Sequence, residues 1–307
     1  MKAARLIKTD AKYDLSVTDV DAPSLEAGKV LVEVHKAGVN PLDWKIKEGA
    51  MSPRDPVTLG EDFEGVVRDV GAGVSGLEPG DEIYGMAGFV NGASGSFAEY
   101  DLVDPQNVAL RPKSVGEAEA GALPLTGVMA LQAVTELFRL SPGEKILIHG
   151  GAGGIGSIAV QLARNLGAHV AVTCAADETD YVRSLGASEA IDYETQNFEE
   201  VISGYDAVYD LIGGEVYEKS FQVLKPGGTI VSTLEPPNED LMSKYGVKAI
   251  YQHFQPTRKR LMKLAVLVDE GDIKVHVDKA FPLTETSEAL RFQKEARPKG
   301  KIVIDVK

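Results

Sequence analysis

A glycine-rich stretch, HGGAGGIG at residues 149–156, gives the most direct indication of chemistry in this sequence. Gly151, Gly153 and Gly156 have the spacing G-x-G-x-x-G, after the apolar run KILI and before an apolar-periodic segment. At such a spacing the first glycine permits a tight turn, the second lets backbone amides approach a diphosphate, and the third allows close helix packing. A plain turn has the same spacing, but in the first unit of an alternating α/β segment it indicates a dinucleotide-binding loop.

The composition excludes several classes of partner. Lys and Arg number 32 against 46 Asp and Glu, and the formal net charge of −14 repels nucleic acid backbones and anionic lipid surfaces. The single cysteine, Cys174, excludes an intrachain disulfide and a multi-cysteine zinc site. No apolar run reaches the about 18 residues of a membrane helix, and the N-terminus has no secretory pattern. We therefore expect no nucleic acid, no membrane and a cytoplasmic location.

The residue pattern changes along the chain, and this change indicates two domains. Residues 1–115 alternate β-branched residues with Gly and Pro, which predicts a mainly antiparallel β domain. From residue 116 onward strands and helices alternate, which predicts a doubly wound parallel sheet. The predicted strands are 145–149, 169–174, 189–192, 206–212, 228–234 and 247–251, and the predicted helices are 119–140, 154–166, 178–185 and 214–224.

The last part of the chain returns to strand and loop character. It ends in KGKIVIDV at 299–306, a strand that we expect to rejoin the sheet of the first domain. The predicted substrate domain is therefore 1–115 plus 268–307, and the predicted dinucleotide-binding domain, 116–267, is inserted in it. A cleft between two such domains is a usual place for a small ligand.

Several motifs, taken in order, resemble one protein family. They are AGVNPLDWKIKEG (37–49), LGEDFEGVVRDVGAGVSGLEPGDEIYG (59–85), GSFAEYDLV (95–103), LPLTGVMALQAV (123–134), ILIHGGAGGIGSIAVQLARNLGA (146–168), DLIGGE (210–215) and VLKPGGTIVS (223–232). Together they closely resemble the zinc-free, zeta-crystallin-like quinone oxidoreductases of the medium-chain dehydrogenase/reductase superfamily. The resemblance implies an α/β protein with a Rossmann domain inserted in a GroES-like, mainly antiparallel β domain. It also implies an NADPH-dependent oxidoreductase that forms a homodimer.

The resemblance allows the zinc-site positions of the superfamily to be compared with this sequence. Zinc-dependent alcohol dehydrogenases of this superfamily carry a catalytic Cys where this chain has Asn40, and a G-H-E motif where it has Gly60, Glu61 and Asp62. Zinc needs three or four suitable ligands, and the five histidines form no spaced cluster, so we expect no metal site. Without zinc, the hydride acceptor must be electrophilic itself or polarised by hydrogen bonds, as quinones and conjugated enones are.

The hypothesis is direct hydride transfer from C4 of the reduced nicotinamide to a quinone or to the β-carbon of an enone. Asn40 would face the nicotinamide and the substrate oxygen. Lys45 would stabilise negative charge on that oxygen or deliver a proton, and Asp43 would orient the ribose or neighbouring side chains. The alternative interpretations are a turn for Asn40 and Pro41, a helix cap for Asp43 and a solvated surface charge for Lys45.

The resemblance also implies a set of cofactor contacts. Thr126 would meet the nicotinamide, Tyr193 the adenosine ribose, and Lys301 would reach across the cleft. Residues after the later strands would line the nicotinamide crevice. The full set is Pro41, Thr126, Gly151, Ala152, Gly153, Gly154, Ile155, Gly156, Thr173, Cys174, Ala175, Tyr193, Leu211, Ile212, Gly213, Ser232, Thr233, Leu234 and Lys301.

Residues after the second parallel strand bear on the choice between NADPH and NADH. A preference for NAD usually needs an acid about 20 residues after the loop. Asp177 lies 177 − 156 = 21 residues after the last glycine of the loop, but we interpret it as the N-cap of helix 178–185. Thr173 stands at the usual position of the acid, which favours NADPH. NADH stays open, because Asp177 and Glu178 would repel a 2′-phosphate.

Two other functions fit the same sequence. The scaffold would also serve a reductase of 2-alkenals or enones, since only the shape of the pocket separates these substrates from quinones. Relatives of this fold also include non-catalytic NADPH-binding structural proteins and RNA-binding proteins. The net charge of −14 argues against RNA, and the intact region around Asn40 argues against a non-catalytic protein.

Overall fold

The structure is a computed structural model that describes residues 1–9, 13–50, 56–89 and 92–307. Within these segments the chain divides into two units. Unit 1 comprises Met1–Val128 and Pro256–Lys307, and unit 2 comprises Met129–Gln255.

The strands of the described segments alternate with helices mainly in unit 2. The strands are β1 (Lys2–Lys8), β2 (Tyr13–Asp19), β3 (Val30–Val39), β4 (Val57–Thr58), β5 (Asp62–Val70), β6 (Glu82–Met86), β7 (Tyr100–Val103), β8 (Val108–Leu110), β9 (Lys145–His149), β10 (His169–Cys174), β11 (Glu189–Asp192), β12 (Tyr205–Asp210), β13 (Leu224–Ser232), β14 (Lys248–Tyr251), β15 (Val277–Pro282) and β16 (Lys301–Asp305). The α-helices are α1 (Pro41–Lys47), α2 (Glu117–Ala122), α3 (Pro124–Gln132), α4 (Gly154–Asn165), α5 (Thr179–Leu185), α6 (Phe198–Val201), α7 (Gly214–Ser220), α8 (Glu239–Tyr245), α9 (Arg258–Asp269) and α10 (Thr286–Glu295).

The larger sheet of unit 1 has the order β15-β16-β3-β5-β6-β8, and β7 also pairs with β3. Its pairs are antiparallel except for β15 with β16. Val30, Val32 and Val34 of β3 are fully buried and belong to one core with Ile302 and Ile304 of β16, as their period of two residues predicts. The predicted antiparallel β domain is confirmed. A smaller sheet has the order β2-β1-β4.

The strand β16 brings the end of the chain back to β3. It pairs antiparallel with β3, and Ile302 lies opposite Val39 while Ile304 lies opposite Ala37. The predicted return of the last strand to the first sheet is therefore confirmed. This register places Lys301, the first residue of β16, beside the end of β3.

Unit 2, whose residues are all described, contains a six-stranded sheet of order β11-β10-β9-β12-β13-β14. All of its strand pairs are parallel. Counted from β9, the order is 3-2-1-4-5-6, which is the doubly wound order of Rossmann folds. Gly167 and Gly186 have φ values of +79° and +111° after the ends of α4 and α5, so both helices end in left-handed caps, for which glycine is favoured.

The division between the units differs from the predicted boundaries at 115/116 and 267/268. It falls at 128/129 and 255/256. The helix α2 packs on β3 and β5, and α9 packs on β8. In addition, the Tyr84 hydroxyl donates to the Leu261 carbonyl at 2.6 Å. These contacts join both helices to unit 1.

The predicted single helix 119–140 is wrong. It is divided into α2 and α3, because Pro124 has no N–H and therefore starts a new helix. A π-helical segment, Ala133–Phe138, follows and ends at Arg139, whose φ is +54°.

The predicted strand 206–212 is too long at its C-terminal end, since β12 ends at Asp210. The Asp210 carboxylate accepts hydrogen bonds from the backbone of Ile212 and Gly213 and turns the chain there. Similarly, α7 ends at Ser220 rather than residue 224, where β13 begins. The helices of the described segments are all too short or too polar to cross a lipid bilayer.

Candidate active site

Asn40 joins the end of β3 to the start of α1. Its backbone is extended, with φ −124° and ψ 154°, and Pro41 begins the helix. The Asp43 carboxylate accepts from the Asn40 backbone N–H at 2.8 Å, and the Asp43 N–H donates to the Asn40 carbonyl at 3.0 Å. The structure therefore has the turn and the cap that were the alternative interpretations of these residues.

The amide side chain of Asn40 is bound on both ends inside unit 1. Its Oδ1 accepts from Lys301 Nζ at 2.5 Å, and its Nδ2 donates to Asp62 Oδ2 at 3.0 Å. Lys301 Nζ also donates to the Val39 carbonyl at 2.8 Å and lies 3.2 Å from Asp62 Oδ2. We call Asn40, Asp62 and Lys301 the polar cluster. Each of its residues is at least 95% buried, with exposures of 2%, 0% and 4%.

Lys301 was expected to reach across a cleft. The structure instead holds its ammonium group inside unit 1, where its hydrogen bonds go to Val39, Asn40 and Asp62. The cause is the register of β16 on β3, which sets residue 301 beside residues 39 and 40.

Asp62 begins β5 and links the polar cluster to a helix. Its Oδ1 accepts from the Leu125 N–H at 2.7 Å, in the first turn of α3. Burial raises the pKa of the Asp62 carboxyl, while the Lys301 ammonium and the hydrogen bond from Asn40 lower it. Removing one member of a buried ion pair leaves an uncompensated charge, at a cost of about 3–5 kcal/mol.

Asp43 is a second buried carboxyl near the polar cluster. Burial raises its pKa to about 7, against the lowering effects of the Asn40 N–H and of Lys301, and Asp62 raises it further. Its side chain therefore titrates near neutral pH, where it either holds or releases a proton.

Lys45 and Thr126 lie elsewhere in unit 1. Lys45 Nζ lies 5.7 Å from the centroid of the Trp44 ring. Residues two apart on a helix do not share a face, so α1 turns Asp43 and Lys45 to different sides. The hydroxyl of Thr126, in the first turn of α3, donates to the carbonyl of Ala122, the last residue of α2, at 3.3 Å.

The glycine loop of unit 2 is closely packed at two of its three motif glycines. Gly150, with φ +65°, is the left-handed residue, rather than Gly151. A Cβ on Gly151 would lie 2.0 Å from Val172 Cγ1, and one on Gly156 would lie 2.3 Å from the Gly150 carbonyl oxygen. A Cβ on Gly153 would meet nothing nearer than that oxygen, at 3.5 Å. Gly153 therefore faces open space in front of α4.

The rest of the loop leads into α4. Ala152 is buried, Gly154 and Ile155 form the first turn of the helix, and Gly153 is its N-cap. The predicted strand, loop and helix of the G-x-G-x-x-G unit are thus present.

His149 is linked to the glycine loop through Thr173, and no functional role was predicted for it from the sequence. Its Nδ1 lies 3.0 Å from Thr173 Oγ1 and its Nε2 lies 2.9 Å from Ser220 Oγ. The Ser220 hydroxyl donates to the Val216 carbonyl at 2.6 Å. Ser220 therefore accepts from Nε2–H, and Nδ1 accepts from Thr173. Burial lowers the pKa of His149 to about 3, so the ring is neutral.

The Thr173 hydroxyl completes this network, since Gly150 N–H donates to it at 3.3 Å. Thr173, Cys174 and Ala175, which were expected to meet a ribose, are all buried at the end of β10. Tyr193, at the end of β11, is 45% exposed.

The expectation that Asp177 is a helix N-cap is wrong. Asp177 lies within a 3-10 turn, Ala176–Glu178, and α5 begins at Thr179. Glu178 makes the capping contact instead, because its carboxylate accepts from the Ala175 N–H at 2.8 Å.

Asp210 and Ser232 shape the loops after β12 and β13. Asp210 Oδ1 accepts from the Gly213 N–H at 2.9 Å, and Oδ2 accepts from the Ser232 hydroxyl at 2.6 Å. Ser232 Oγ in turn accepts from the Leu234 N–H at 3.1 Å. The Thr233 N–H donates to the Asp210 carbonyl at 3.3 Å. The fully buried Asp210 was not predicted as a site residue, although it begins the quoted motif DLIGGE.

Two apolar side chains remain exposed on these loops. Ile212 is 52% exposed and Leu234 is 43% exposed, while Leu211 is half-buried and Gly213 has φ +79°. A Cβ on Gly150 would lie 3.2 Å from Ile212 Cδ1, so this side chain lies over the glycine loop. Exposed apolar groups beside such a loop provide a surface for a flat, apolar ring.

Comparison with known proteins agrees with this architecture. Residues 26–113 match the family of the alcohol dehydrogenase GroES-like domain, and residues 185–304 match the family described as zinc-binding dehydrogenase.

Individual relatives cover most of the chain. The 2-methylene-furan-3-one reductase of Solanum lycopersicum is 35% identical over 301 residues, covering 94% of this chain and 74% of that protein. The chloroplastic NADPH-dependent alkenal/one oxidoreductase of Arabidopsis thaliana is 33% identical, with coverages of 94% and 74%. The quinone oxidoreductase structure from Coxiella burnetii is 29% identical, with a TM-score of 0.91 and coverages of 100% and 99%. The chain belongs to the quinone oxidoreductases of the medium-chain dehydrogenase/reductase superfamily.

The first prediction concerns Asp43. Its pKa is about 7 in the folded protein against an ordinary value of 3.8, so between these values the folded state binds more protons than the unfolded state. The free energy of unfolding therefore falls as pH rises from about 4 to about 7. In Asp43→Asn that decline should become shallower by up to about 1.4 kcal/mol per pH unit, measured by urea unfolding at several pH values. Asp19→Asn, at an exposed position of β2, is the control. An Asp43→Asn slope equal to that of the wild type would contradict the assignment.

Proposed function

We propose that the protein is an NADPH-dependent oxidoreductase that transfers hydride to a quinone or another conjugated carbonyl without zinc. The observation that carries this proposal is the polar cluster. The Lys301 ammonium lies between Asn40 Oδ1 and Asp62 Oδ2. Asn40, where zinc-dependent members of the superfamily carry a catalytic Cys, and Asp62, at the last position of their G-H-E motif, are therefore already bound to an internal cation.

Zinc does not fit the remaining donors of that site. Glu61 is buried, and its Oε1 accepts from the Gly88 N–H at 3.3 Å. A divalent ion placed beside Asn40 and Asp62 would be repelled by the Lys301 ammonium at close range. We therefore derive no step of the reaction through a metal at this site.

The residues of unit 2 fit a pyridine dinucleotide. The open space at Gly153 and the N-terminus of α4 suit a diphosphate, because the helix dipole and the first amides favour an anion there. Ile212 and Leu234 would cover the apolar nicotinamide and exclude water from it. The other proposed contacts are Pro41, Thr126, Thr173, Cys174, Ala175 and Tyr193, as the family resemblance implies.

When bound, the reduced nicotinamide supplies the hydride. The chain contributes hydrogen bonding and position. The contacts with Lys301 and Asp62 fix the orientation of the Asn40 amide. The Nδ2 atom carries two hydrogens, and one of them bonds Asp62. We propose that the other N–H donates to the substrate oxygen and stabilises the charge that develops on it. Asp43, with a pKa of about 7, supports the backbone of Asn40 rather than the substrate.

The proposed cofactor is NADPH. The position at which NAD-binding proteins usually have an acid is occupied by Thr173, whose hydroxyl is hydrogen-bonded to His149. The nearby Glu178 carboxylate is hydrogen-bonded to the Ala175 N–H. The name of the Arabidopsis thaliana relative also specifies NADPH. The exposed Asp177 is the feature that keeps NADH as an alternative.

A second candidate acceptor is a 2-alkenal or an enone. The names of the tomato and Arabidopsis thaliana relatives describe reduction of a methylene-furanone and of alkenals or alkenones. Such acceptors need the same hydride donor and the same hydrogen bond to a carbonyl oxygen. A homodimer in the cytoplasm remains part of the proposal.

The glycine loop supplies a paired prediction. Gly156→Ala should lower the free energy of unfolding by about 1–3 kcal/mol, because its Cβ would lie 2.3 Å from the Gly150 carbonyl oxygen and 2.7 Å from Gly151 Cα. Gly153→Ala should change the stability by less than about 1 kcal/mol but weaken NADPH binding about tenfold, or about 1.4 kcal/mol. Urea unfolding and fluorescence titration with NADPH measure the two effects. Wild-type affinity in Gly153→Ala would refute the proposed diphosphate position.

The function itself is tested by stopped-flow kinetics on chelator-treated protein. Bound NADPH should be oxidised by 1,4-benzoquinone, by an enone or by both, and the relative rates decide between the two acceptor classes. Asn40→Ala should slow hydride transfer at least about tenfold, because a single donor to a developing oxyanion contributes up to 10²–10³ in rate. Oxidation that requires added zinc, or binding of NADPH without oxidation by any acceptor, would refute the proposal.

A further inference from the structure

Three side chains of unit 1 form a cluster outside the polar cluster. His35 lies on β3, Glu64 on β5 and Glu117 in the first turn of α2. His35 Nδ1 lies 3.4 Å from Glu117 Oε1 and 4.0 Å from Glu64 Oε2, and the three donor atoms lie within 4.8 Å of one another. Around a tetrahedral zinc ion, with bonds of about 2.0–2.2 Å, donor atoms are roughly 3.3–3.6 Å apart. Small side-chain movements would bring the three donors to that spacing.

One oxygen of this cluster needs a partner. The Glu64 side chain is 1% exposed, and its Oε2 has no hydrogen-bond partner among the described residues. A buried polar atom without a partner is rare and unfavourable, and it often marks an ion or ligand that is not present. This oxygen lies on the side of Glu64 that faces His35. It is therefore an observation, independent of the clustering, that points to a bound cation.

The nearby basic side chains have closer partners of their own. Arg111 bonds Glu82 at 2.5 Å, while its Nε is 3.6 Å from Glu64 Oε1. Lys36 lies 3.0 Å from Asp305 but 4.0 Å from Glu117. Neither cation makes a hydrogen bond with the carboxylates of the cluster.

The charge of the cluster favours a cation as well. Burial raises the pKa of Glu64 to about 7 and the negative charge of Glu117 raises it further, whereas Arg111 and Lys36 lower it. A bound divalent ion would offset the repulsion between the Glu64 and Glu117 carboxylates, which both lie within 4.0 Å of His35 Nδ1.

We propose that His35, Glu64 and Glu117 bind one Zn²⁺ ion. One imidazole with two carboxylates suits zinc, whereas Mg²⁺ and Ca²⁺ prefer oxygen ligands alone. His35 would bind through Nδ1, in the tautomer with its proton on Nε2. Glu117, whose side chain is 45% exposed, opens the site to water, which completes the coordination. The ion would tie α2 to β3 and β5, and it takes no part in the hydride transfer proposed above.

Isothermal titration of Zn²⁺ into the full-length, chelator-treated protein tests this site. The wild type should bind one equivalent. His35→Gln and Glu64→Gln should bind at least about tenfold more weakly, and Glu64→Gln keeps the shape of the protonated side chain. The matched control is His169→Gln, since His169 Nε2 lies 2.5 Å from Glu189 Oε1 on the surface of unit 2. It should bind as the wild type does, and Mg²⁺ should not compete.

A second readout is thermal unfolding with and without Zn²⁺. The ion should raise the Tm of the wild type and of His169→Gln but not that of Glu64→Gln, and circular dichroism confirms that each variant is folded. The proposal is overturned if the wild type takes up no equivalent of Zn²⁺, if both cluster variants bind it like the wild type, or if only His169→Gln loses binding. Hydride transfer on chelator-treated protein is measured separately, so the two proposals fail independently.

Discussion

A buried ammonium group organises the candidate active site. Lys301 reaches Asn40 and Asp62 from the first position of the last strand, and each partner comes from a different part of unit 1. An isolated charge in this interior would be strongly unfavourable, but the opposite charge of Asp62 and three acceptors compensate it. The contacts of Lys301 therefore form only when β16 pairs with β3 in this register and when α1 and β5 begin at these residues.

The same interaction determines which chemistry is available. Because the cation is part of the protein, the charge of Asp62 is neutralised and the Asn40 amide has one orientation. In the proposed reaction, hydrogen bonding rather than a metal would polarise the acceptor, and the acceptor would have to be electrophilic already. Buried polar side chains also position the loops of unit 2. The neutral His149 and the buried Asp210 each hold a loop in place through hydrogen bonds.

Local patterns predicted most of the elements, but the side-chain contacts between distant elements were not predictable. The strand, loop and helix around Gly151, the parallel sheet and the return of the last strand were predicted from periodicity and glycine spacing, whereas the order of the parallel strands was not predicted. The position of Lys301 depends on strand register, which no local pattern contains. For the same reason the sequence did not reveal the cluster of His35, Glu64 and Glu117, whose members come from three separate elements. The division of helix 119–140 at Pro124, in contrast, is predictable from local sequence, because proline lacks the N–H of a helix interior and favours the first turn.

The most direct test of the central interaction is a double-mutant cycle on unfolding free energy with Lys301→Met and Asp62→Asn. Each single variant leaves a buried group without its partner, whereas the double variant removes both charges. We predict that the double variant is more stable than the sum of the single effects by at least about 1.5 kcal/mol, within the range seen for directly contacting residues. Single effects that add to within about 0.5 kcal/mol would show that the ammonium and the carboxylate do not depend on each other, and would contradict the account.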